Sequence, residues 1–452
     1  MASMSTAART DVVIIGAGAA GLAAARDLHD AGLRVAVLEG RDRIGGRILT
    51  HREPGIPEPI ELGAEFIHGD ADETQSVLDE AGLRSVDVEG RRFEATGGRL
   101  RAADDFWQRL HRVMRHLPTS AKDDESFREF LDRRPGGRRE AHNRRLALQF
   151  VEGFMAADAQ RVSSQSMAGD DDPTGDPAAQ RAGRVVDGYD RVIDALAKPV
   201  VSAIRRSVVV TRVHWKRGRV DVESRSATDG RTRPIIRARR VIVTVPLGVL
   251  QAPFGAFGSI EFDPPLDSKV EPLAQMAMGS IMRVVLRFRT RFWTDDALAE
   301  RANVPSLESL SFVQSTDENF PVWWTQYPLR SPVIVGWRGG PRARILDRLS
   351  PVGLTDCAVG SLARTFRLPA RRLHALLAGS WAHHWDNDPL SRGAYSYQLV
   401  GGSAAPTDLA RPLGGTLYFA GEATAPDGRS GTVDGAIASG QRAAQQVRRA
   451  FA

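Results

Sequence analysis

The chain has 452 residues, of which 42% are hydrophobic and 26% charged; this composition is typical of a soluble globular protein, and the length predicts more than one domain. The net charge of +6 is too small at this length to indicate a nucleic-acid partner. No apolar run is long enough for a transmembrane helix, and the N-terminus lacks the apolar region of a signal peptide. We therefore expect a cytoplasmic protein without a membrane partner. Its one cysteine, Cys357, excludes an internal disulfide and a cysteine-based metal site, and we expect no metal.

The segment DVVIIGAGAAGLAAARDLHDAGLRVAVLEG predicts a strand, a glycine-rich turn, a helix and a second strand. Gly16 permits the tight turn, Gly18 lets backbone approach a pyrophosphate, and Gly21 allows close helix–strand packing. The helix N-terminus, where Ala20 lies, offers free N–H groups to an anion. Glu39 ends the second strand, where a carboxylate binds ribose hydroxyls. The pattern predicts a Rossmann-type dinucleotide-binding unit.

The stretch LEGRDRIGGR continues past that acid. Gly40 and Arg41 follow the acid directly and join the predicted cofactor contacts. Gly45 and Gly46 provide a second flexible backbone approach. Arg47 then supplies a cation whose planar, bidentate donors suit a pyrophosphate. A nicotinamide-binding domain needs no such second clamp.

The pattern GAGAAGLAAA…LEGRDRIGGR resembles the start of the flavin-dependent amine oxidase family, closest in motif to polyamine oxidases and lysine-specific histone demethylase-like enzymes. Three further segments resemble the family: ELGAEFIHG over 61–69, ARRVIVTVPLGVL over 238–250 and LYFAGEATAPDGRSGTVDGAIASGQRAA over 417–444. The resemblance therefore covers nearly the whole chain, and it implies FAD as the cofactor.

The resemblance implies an α/β fold with a discontinuous Rossmann-type FAD-binding domain and an α+β substrate-binding domain. We expect residues 1–80, 198–262 and 400–452 in the first, and residues 81–197 and 263–399 in the second. The charged stretch 81–197 is predicted to be helical, with a solvated polar loop, AGDDDPTGDPAAQ, over 168–180. The runs RVVLRFR and PVIVGW predict strands of the substrate domain.

The resemblance also implies contacts with FAD. Val210 matches a residue whose backbone pairs with the adenine edge, and Val213 is the alternative register. A helix starting near Thr432 is expected to direct N–H groups at flavin N1 and the C2 carbonyl, which stabilises the anionic reduced flavin. The remaining implied contacts are Gly63, Ala64, Glu65, Trp385, Tyr395, Gly421, Glu422 and Val433.

Amine oxidation requires a neutral amine, and a dry aromatic site lowers the pKa of an amine by desolvation. Tyr395, in DPLSRGAYSY, resembles the family's cage tyrosine, and Trp385 resembles a tryptophan near the flavin; a purely structural core role is the alternative for both. Thr432 replaces the second cage tyrosine of monoamine oxidases, which implies a wider site. Ala394 stands where the covalent-flavin subfamily has cysteine, so the FAD is expected to be non-covalent.

Three charged or titratable residues have alternative predicted roles in the reaction. Glu65 is predicted to attract a distal ammonium, or else to pair with an arginine. His68 is predicted to contact substrate, or else to be structural. Arg283, in MGSIMRVVLRF, stands where family oxidases have a lysine linked to reaction with oxygen. Either Arg283 retains that reactivity, or the enzyme passes electrons elsewhere, or the match is out of register.

We therefore predict an FAD-dependent amine oxidase that transfers hydride from the carbon next to the nitrogen to flavin N5. The imine hydrolyses, and O2 is reduced to hydrogen peroxide. Polyamines or other extended amines are the expected substrates, and the protein is expected to be a monomer or homodimer. The alternatives are an L-amino-acid oxidase or a flavin dehydrogenase or desaturase of the same fold, and a scaffold module with residual flavin.

Overall fold

The computed structural model of the chain describes residues 10–97, 99–133, 137–168, 180–425 and 428–451. The predicted helical segment DDFWQRLHRVMRHL contains the helix Phe106–Met114, and the predicted segment NRRLALQFVEGFM overlaps the C-terminal part of the helix Gly137–Gly153. The α-helices of the described ranges are Ala19–Asp30, Asp72–Ala81, Phe106–Met114, Phe127–Arg133, Gly137–Gly153, Asp190–Ala197, Leu247–Leu250, Asp267–Ala274, Asp296–Ala302, Ala343–Leu346, Pro351–Phe366, Ala370–Leu376, Ala405–Ala410 and Val433–Phe451.

A parallel sheet contains the first strand of the chain. Its five strands lie in the spatial order Ile204–Arg205, Val35–Leu38, Val12–Ile15, Arg240–Val243 and Leu417–Phe419. Val12 and Ile14 pack into the core beneath the helix Ala19–Asp30, whereas Val13 and Ile15 pack into a second core on the opposite face. Because both faces are buried, the strand is a continuous apolar run rather than an alternating one. The predicted strand–turn–helix–strand unit is confirmed.

Glycine is required at two positions of the turn in this unit. Gly16 has a φ of +108°, which side chains rarely adopt. A Cβ on Gly21 would lie 2.0 Å from the carbonyl oxygen of Gly16, so the helix approaches the strand too closely for any other residue. The C-terminal helix Val433–Phe451 packs against Ala19–Asp30, and Asp190–Ala197 packs against the same helix.

A second, four-stranded sheet covers the other face of the parallel sheet. Val208, Val213 and Val220 pack with Val13 and Ile15 in the shared core. The strands lie in the order Ile236–Ala238, Arg219–Ser226, Val208–Lys216 and Glu261–Asp263.

A third sheet has seven strands and separates a helical core from the cavity described below. In the strand Ile281–Phe288, Met282 and Val284 pack into the core that includes Pro351–Phe366, and Arg283 lies on the opposite face. The predicted strands RVVLRFR and PVIVGW are confirmed here. The order is Leu377–Ala382, Ile281–Phe288, Val333–Gly339, Val322–Thr325, Leu310–Ser315, Arg91–Thr96 and Arg99–Ala102.

The helical prediction for 81–197 is wrong over four short strands. Arg91–Thr96 and Arg99–Ala102 join the seven-stranded sheet, and Ser85–Asp87 and Ala182–Val185 join a three-stranded sheet with Phe66–His68. These strands are short and rich in charge, so their alternation of buried and exposed residues is weak in the sequence.

Two pairs of short strands complete the described sheets: Met276–Met278 with Ser396–Gln398, and Thr50–His51 with Ile60–Glu61. The predicted polar loop over 168–180 lies outside the described residues except at its two ends. Within the described ranges, no helix is both long and apolar enough to span a membrane. The division into two domains at the proposed boundaries stays a prediction.

Candidate active site

A cavity of about 980 Å³ extends from the glycine turn to a cluster of aromatic side chains. Gly21 is a predicted cofactor contact that does not line it, since this residue serves the packing of the helix on the strand. The predicted residues that do line it are Gly16, Gly18, Ala20, Glu39, Gly40, Arg41, Gly45, Gly46, Arg47, Gly63, Ala64, Glu65, His68, Val210, Arg283, Trp385, Tyr395, Gly421, Glu422, Thr432 and Val433.

The glycine turn leaves an open cradle at one end of this cavity. A Cβ on Gly18 would have only the Cα of Gly46 nearby, at 4.0 Å, so two bare backbones face each other across the gap. The helix Ala19–Asp30 begins directly after Gly18, which has no side chain to cap its free N–H groups. Such a helix N-terminus suits a phosphate.

Glu39 is buried at the end of its strand, next to this cradle. Its Oε2 accepts a hydrogen bond from the N–H of Ala17 at 2.8 Å, and its Oε1 accepts one from the N–H of Arg41 at 2.9 Å. These bonds fix the carboxylate at the cavity wall. Each oxygen keeps a second lone pair for a ribose hydroxyl.

Two of the three arginines in LEGRDRIGGR, Arg41 and Arg47, are held by acids from distant parts of the chain. Arg41 donates to both oxygens of Asp388, each at 2.8 Å. Arg47 donates to Glu422 at 2.8 Å and to the carbonyl of Ala394 at 2.7 Å. Both guanidinium groups are thereby held in place at the cavity wall, with their charge balanced by a carboxylate.

Of the two registers considered for the adenine contact, Val210 lines the cavity and Val213 does not. Val213 is fully buried in the core between two sheets. A bulge follows Val210 in its pairing with the strand Arg219–Ser226. Val210 therefore stays the predicted adenine contact, whereas Val213 is a core residue.

Glu65 lies buried between two arginines. Its Oε1 accepts hydrogen bonds from Arg184 Nε at 2.9 Å and Nη2 at 2.7 Å. Its Oε2 accepts bonds from Arg283 and from the indole N–H of Trp324, the latter at 3.1 Å. Burial alone would raise the pKa of Glu65, but Arg283 and Arg184 outweigh it and lower that pKa. The ion-pair alternative is therefore the one that the structure shows, and Glu65 offers no free charge to a distal ammonium.

Arg283 reaches the cavity wall from the middle of its strand. Besides Glu65, its guanidinium donates to the carbonyl oxygen of Gly63 at 2.9 Å, and it lies 5.4 Å from the ring centre of Trp324. These contacts hold a permanent positive charge, balanced by Glu65, against the segment 61–69.

The predicted aromatic residues form one wall. Trp385 is buried, and its indole N–H donates to the carbonyl oxygen of Leu62 at 2.9 Å. The hydroxyl of Tyr395 donates to the carbonyl oxygen of Phe154 at 2.5 Å. Burial raises the pKa of Tyr395, so its hydroxyl stays protonated at neutral pH. Both rings line the cavity rather than only the protein core.

His68 contacts Phe154 edge-on, with 5.1 Å between ring centroids, and lies 5.9 Å from Phe66. Burial, with a smaller contribution from the charge of Arg92, lowers the pKa of His68 to about 4. The imidazole is therefore neutral at physiological pH.

Thr432 caps the last helix. Its hydroxyl accepts a hydrogen bond from the N–H of Gly435 at 2.9 Å and donates to the carbonyl oxygen of Arg429 at 2.7 Å. The helix starts at Val433, which lines the cavity, as predicted. Its N-terminal dipole end thus faces the cavity.

Three residues of the site were not found from the sequence: Arg184, Trp324 and Arg92. Nothing in the sequence around Arg184 indicates that it pairs with Glu65, because the two residues are 119 positions apart. Trp324 lies in an apolar run that is equally typical of a core strand. Arg92 lies on the strand Arg91–Thr96, which was predicted as helix; the alternation of Arg92 with the buried Phe93 was the available signal.

Comparisons with known proteins give a consistent result. A family model described as "Flavin containing amine oxidoreductase" matches residues 19–448. "Polyamine oxidase 4" of Oryza sativa subsp. japonica is 30% identical over 97% of this chain and 88% of its own length. "Lysine-specific histone demethylase 2" of Homo sapiens is 28% identical over 96% of this chain and 53% of its own.

Solved structures share the fold. Putrescine oxidase bound to putrescine has a TM-score of 0.79 at 24% identity, covering 98% of this chain and 99% of its own. Cyclohexylamine oxidase from Brevibacterium oxydans IH-35A has a TM-score of 0.79 at 21% identity over the same shares.

The chain therefore belongs to the flavin-containing amine oxidoreductase family. This confirms the predicted resemblance, the α/β fold, the FAD cofactor and the prediction of an oxidoreductase acting on CH–NH groups. Cys357 packs in the core of the seven-stranded sheet and is not among the described residues of the cavity wall.

Proposed function

We propose that the protein oxidises an extended amine and passes the electrons to O2. A primary amine, O2 and water give an aldehyde, ammonia and hydrogen peroxide. Bound FAD supplies the two-electron acceptor that takes hydride from the carbon next to nitrogen. The observation that carries the proposal is one continuous cavity with a phosphate-accepting helix N-terminus at one end and an aromatic pocket beyond it.

The residues of the chain fit this cofactor. The cradle at Gly18 and Gly46 and the helix N-terminus after Gly18 suit its pyrophosphate, and the fixed carboxylate of Glu39 suits a ribose. The N-terminus of the last helix at Val433 favours negative charge on the reduced cofactor. Non-covalent binding stays part of the proposal.

The aromatic pocket prepares the amine for oxidation. Trp385 and Tyr395 present aromatic faces to the pocket, and desolvation against such faces lowers the pKa of a bound amine from its ordinary value near ~10.4. A free carboxylate would oppose this by stabilising the ammonium form, but Glu65 is neutralised by its two arginines. His68 is neutral as well. The amine is therefore bound with its lone pair available.

Arg283 bears on the choice of electron acceptor. If the protein is an oxidase, Arg283 provides a positive charge at the position of the family's lysine. This charge stabilises the negative charge that develops on O2. The second candidate is a dehydrogenase that reacts slowly with O2. It is favoured by the contacts of Arg283 with Glu65 and Gly63, which leave the guanidinium no freedom to act as a mobile, proton-exchanging group.

The substrate is proposed to be an extended amine because the aromatic pocket continues beyond Tyr395 toward His68 and Phe312. Polyamines are the first compounds to test, since relatives are named polyamine oxidases. Glu65 no longer argues for them, because its charge is paired. A cytoplasmic location and a monomeric or homodimeric state stay predictions.

The first experiment mixes the purified yellow protein anaerobically with polyamines, diamines, monoamines and amino acids, and then admits air. Bleaching of the visible flavin band by an amine, with recovery in air and peroxide formation, is the expected result. Bleaching without recovery selects the dehydrogenase. Reduction by α-amino acids alone, and not by their decarboxylated amines, contradicts the proposal and selects an amino-acid oxidase.

A further inference from the structure

Arg92 places a cation in the aromatic half of the cavity. It lies on the strand Arg91–Thr96, on the face opposite the buried Phe93, and its side chain lines the cavity. Three aromatic rings surround its guanidinium, with distances from Cζ to the ring centres of 4.4 Å for Phe312 and 5.2 Å for both Phe106 and Trp107.

No carboxylate within the described ranges forms an ion pair with Arg92, and none of its guanidinium N–H groups has a hydrogen-bond partner there. The other buried or partly buried arginines that line the cavity differ in this respect. Arg41 is paired with Asp388, Arg47 with Glu422, Arg283 with Glu65, and Arg429 with Asp434.

The surroundings of Arg92 do not fully stabilise its positive charge. Burial lowers the pKa of Arg92 to about 10, which leaves it charged at neutral pH. Removing a charge from water is costly, and contacts with aromatic faces offset only part of that cost. A planar guanidinium is completed best by a carboxylate, which accepts two parallel hydrogen bonds.

The acids of the cavity wall do not compensate for Arg92. Glu65, Glu422 and Asp434 are paired with other arginines, and Glu39 lies 3.8 Å from Arg41. Asp70 and Asp72 also line the cavity, but both are exposed, and Asp70 is paired with Arg181. The inner part of the pocket therefore carries an uncompensated positive charge, which disfavours a second ammonium and favours an anion.

We propose that Arg92 binds a carboxylate at the far end of the substrate, so that the preferred substrates are amines with a carboxylate several carbon atoms from the reactive nitrogen. This inference rests on the proposed amine oxidase function. Phe312 contacts both Arg92 and Trp324, and Trp324 contacts Arg283. The charge of Arg92 acts on His68, which contacts Phe154, and the carbonyl oxygen of Phe154 accepts a hydrogen bond from Tyr395. An α-amino acid, whose carboxylate is on the carbon next to the amine, is not such a substrate.

The test compares three amines of equal length that differ only at the far end: hexylamine, hexamethylenediamine and ε-aminocaproate. The rate and apparent affinity of anaerobic flavin reduction are measured for the wild type, Arg92→Gln, Arg92→Lys and Arg91→Gln. Arg91 is a matched control, because it lies on the same strand outside the cavity and faces Asp104 at 3.5 Å.

We expect the wild type to prefer ε-aminocaproate over both other amines. A charge-assisted hydrogen bond corresponds to about a 10-fold to 100-fold preference, which Arg92→Gln abolishes. Arg92→Lys retains part of the preference, and Arg91→Gln retains all of it. A wild type that prefers the diamine overturns the proposal, even if Arg92→Gln does not fold.

A second readout does not depend on oxidation. Caproate, which has no amine, is titrated into the oxidised holoenzyme while the flavin absorbance is followed. We expect its binding to weaken about 10-fold or more in Arg92→Gln. Equal binding to both proteins overturns the carboxylate site. If binding depends on Arg92 but no amine reduces the flavin, the proposed amine oxidation fails and the carboxylate site stands.

Discussion

Glu65 and Arg283 form an ion pair in the wall of the cavity, although 218 positions separate them in the chain. Arg184 completes the group from a third strand, opposite Phe66 in the register of its sheet. One acid therefore links two sheets to each other at the cavity wall. A net positive charge remains in this buried triad.

Replacing Glu65 with glutamine is expected to destabilise the protein. The amide keeps the shape of the side chain but leaves Arg184 and Arg283 without a balancing charge, which costs about 3–5 kcal/mol for a broken buried pair. Urea unfolding followed by circular dichroism measures the loss. Glu308→Gln is the control, since it breaks an exposed pair with Arg291 and is expected to cost less than about 1 kcal/mol. Equal losses would show that the triad is not a structural anchor.

Substitutions of Arg283 separate the oxidase from the dehydrogenase without any substrate. The flavin is reduced by light and then mixed with oxygenated buffer. Arg283→Lys retains the charge and is expected to reoxidise within about threefold of the wild type, whereas Arg283→Gln is expected to be about 10-fold to 100-fold slower. A wild type that reoxidises slowly and is accelerated by lysine would instead identify the dehydrogenase.

Alanine substitutions at two glycines of the same turn are expected to have different effects, one on flavin binding and the other on stability. In Gly18→Ala the new Cβ points into the cradle, with only the Cα of Gly46 near it, at 4.0 Å. The free energy of unfolding should change by less than about 1 kcal/mol, while the ratio of bound flavin to protein falls sharply.

In Gly21→Ala the Cβ would lie 2.0 Å from the carbonyl oxygen of Gly16, and overpacking of this kind costs about 1–3 kcal/mol or more. Its unfolding midpoint should fall even when flavin is added in excess. If both variants lose flavin equally and neither loses stability, the distinction between cradle and packing contact is wrong.

Glu61 is expected to make stability depend on pH. Burial raises its pKa from 4.5 to about 7, even though Tyr189 and Thr50 donate hydrogen bonds to it. Between these values the folded state binds more protons than the unfolded state, so the free energy of unfolding falls as pH rises through the window, by up to about 3 kcal/mol. Glu61→Gln should flatten this fall. Parallel pH profiles for the two proteins would contradict the assignment.

The parts of the molecule that could be predicted from the sequence are those determined by interactions between residues close together in the chain. The turn from Gly16 to Gly21 is defined by neighbours along the chain, as is the helix capped by Thr432. Each requires particular residue types at short spacing.

The charge pairing of the site was not predictable in the same way. Arg47 and Glu422 form an ion pair although 375 positions separate them in the chain. Because the chain has many arginines, neither local sequence indicates which arginine pairs with which acid. The strand that carries Arg92 was missed because it is short and rich in charge, and because Arg92 faces a cavity rather than solvent. Its period of two is the same as that of an exposed edge strand.

The composition of the cavity wall also has an optical consequence. Four of the chain's eight tryptophans, namely Trp107, Trp324, Trp337 and Trp385, line the cavity. Indole emission overlaps flavin absorption, so a flavin in this cavity quenches these four indoles by resonance energy transfer. The intrinsic fluorescence of the protein is thus a label-free gauge of how much of a preparation carries its cofactor.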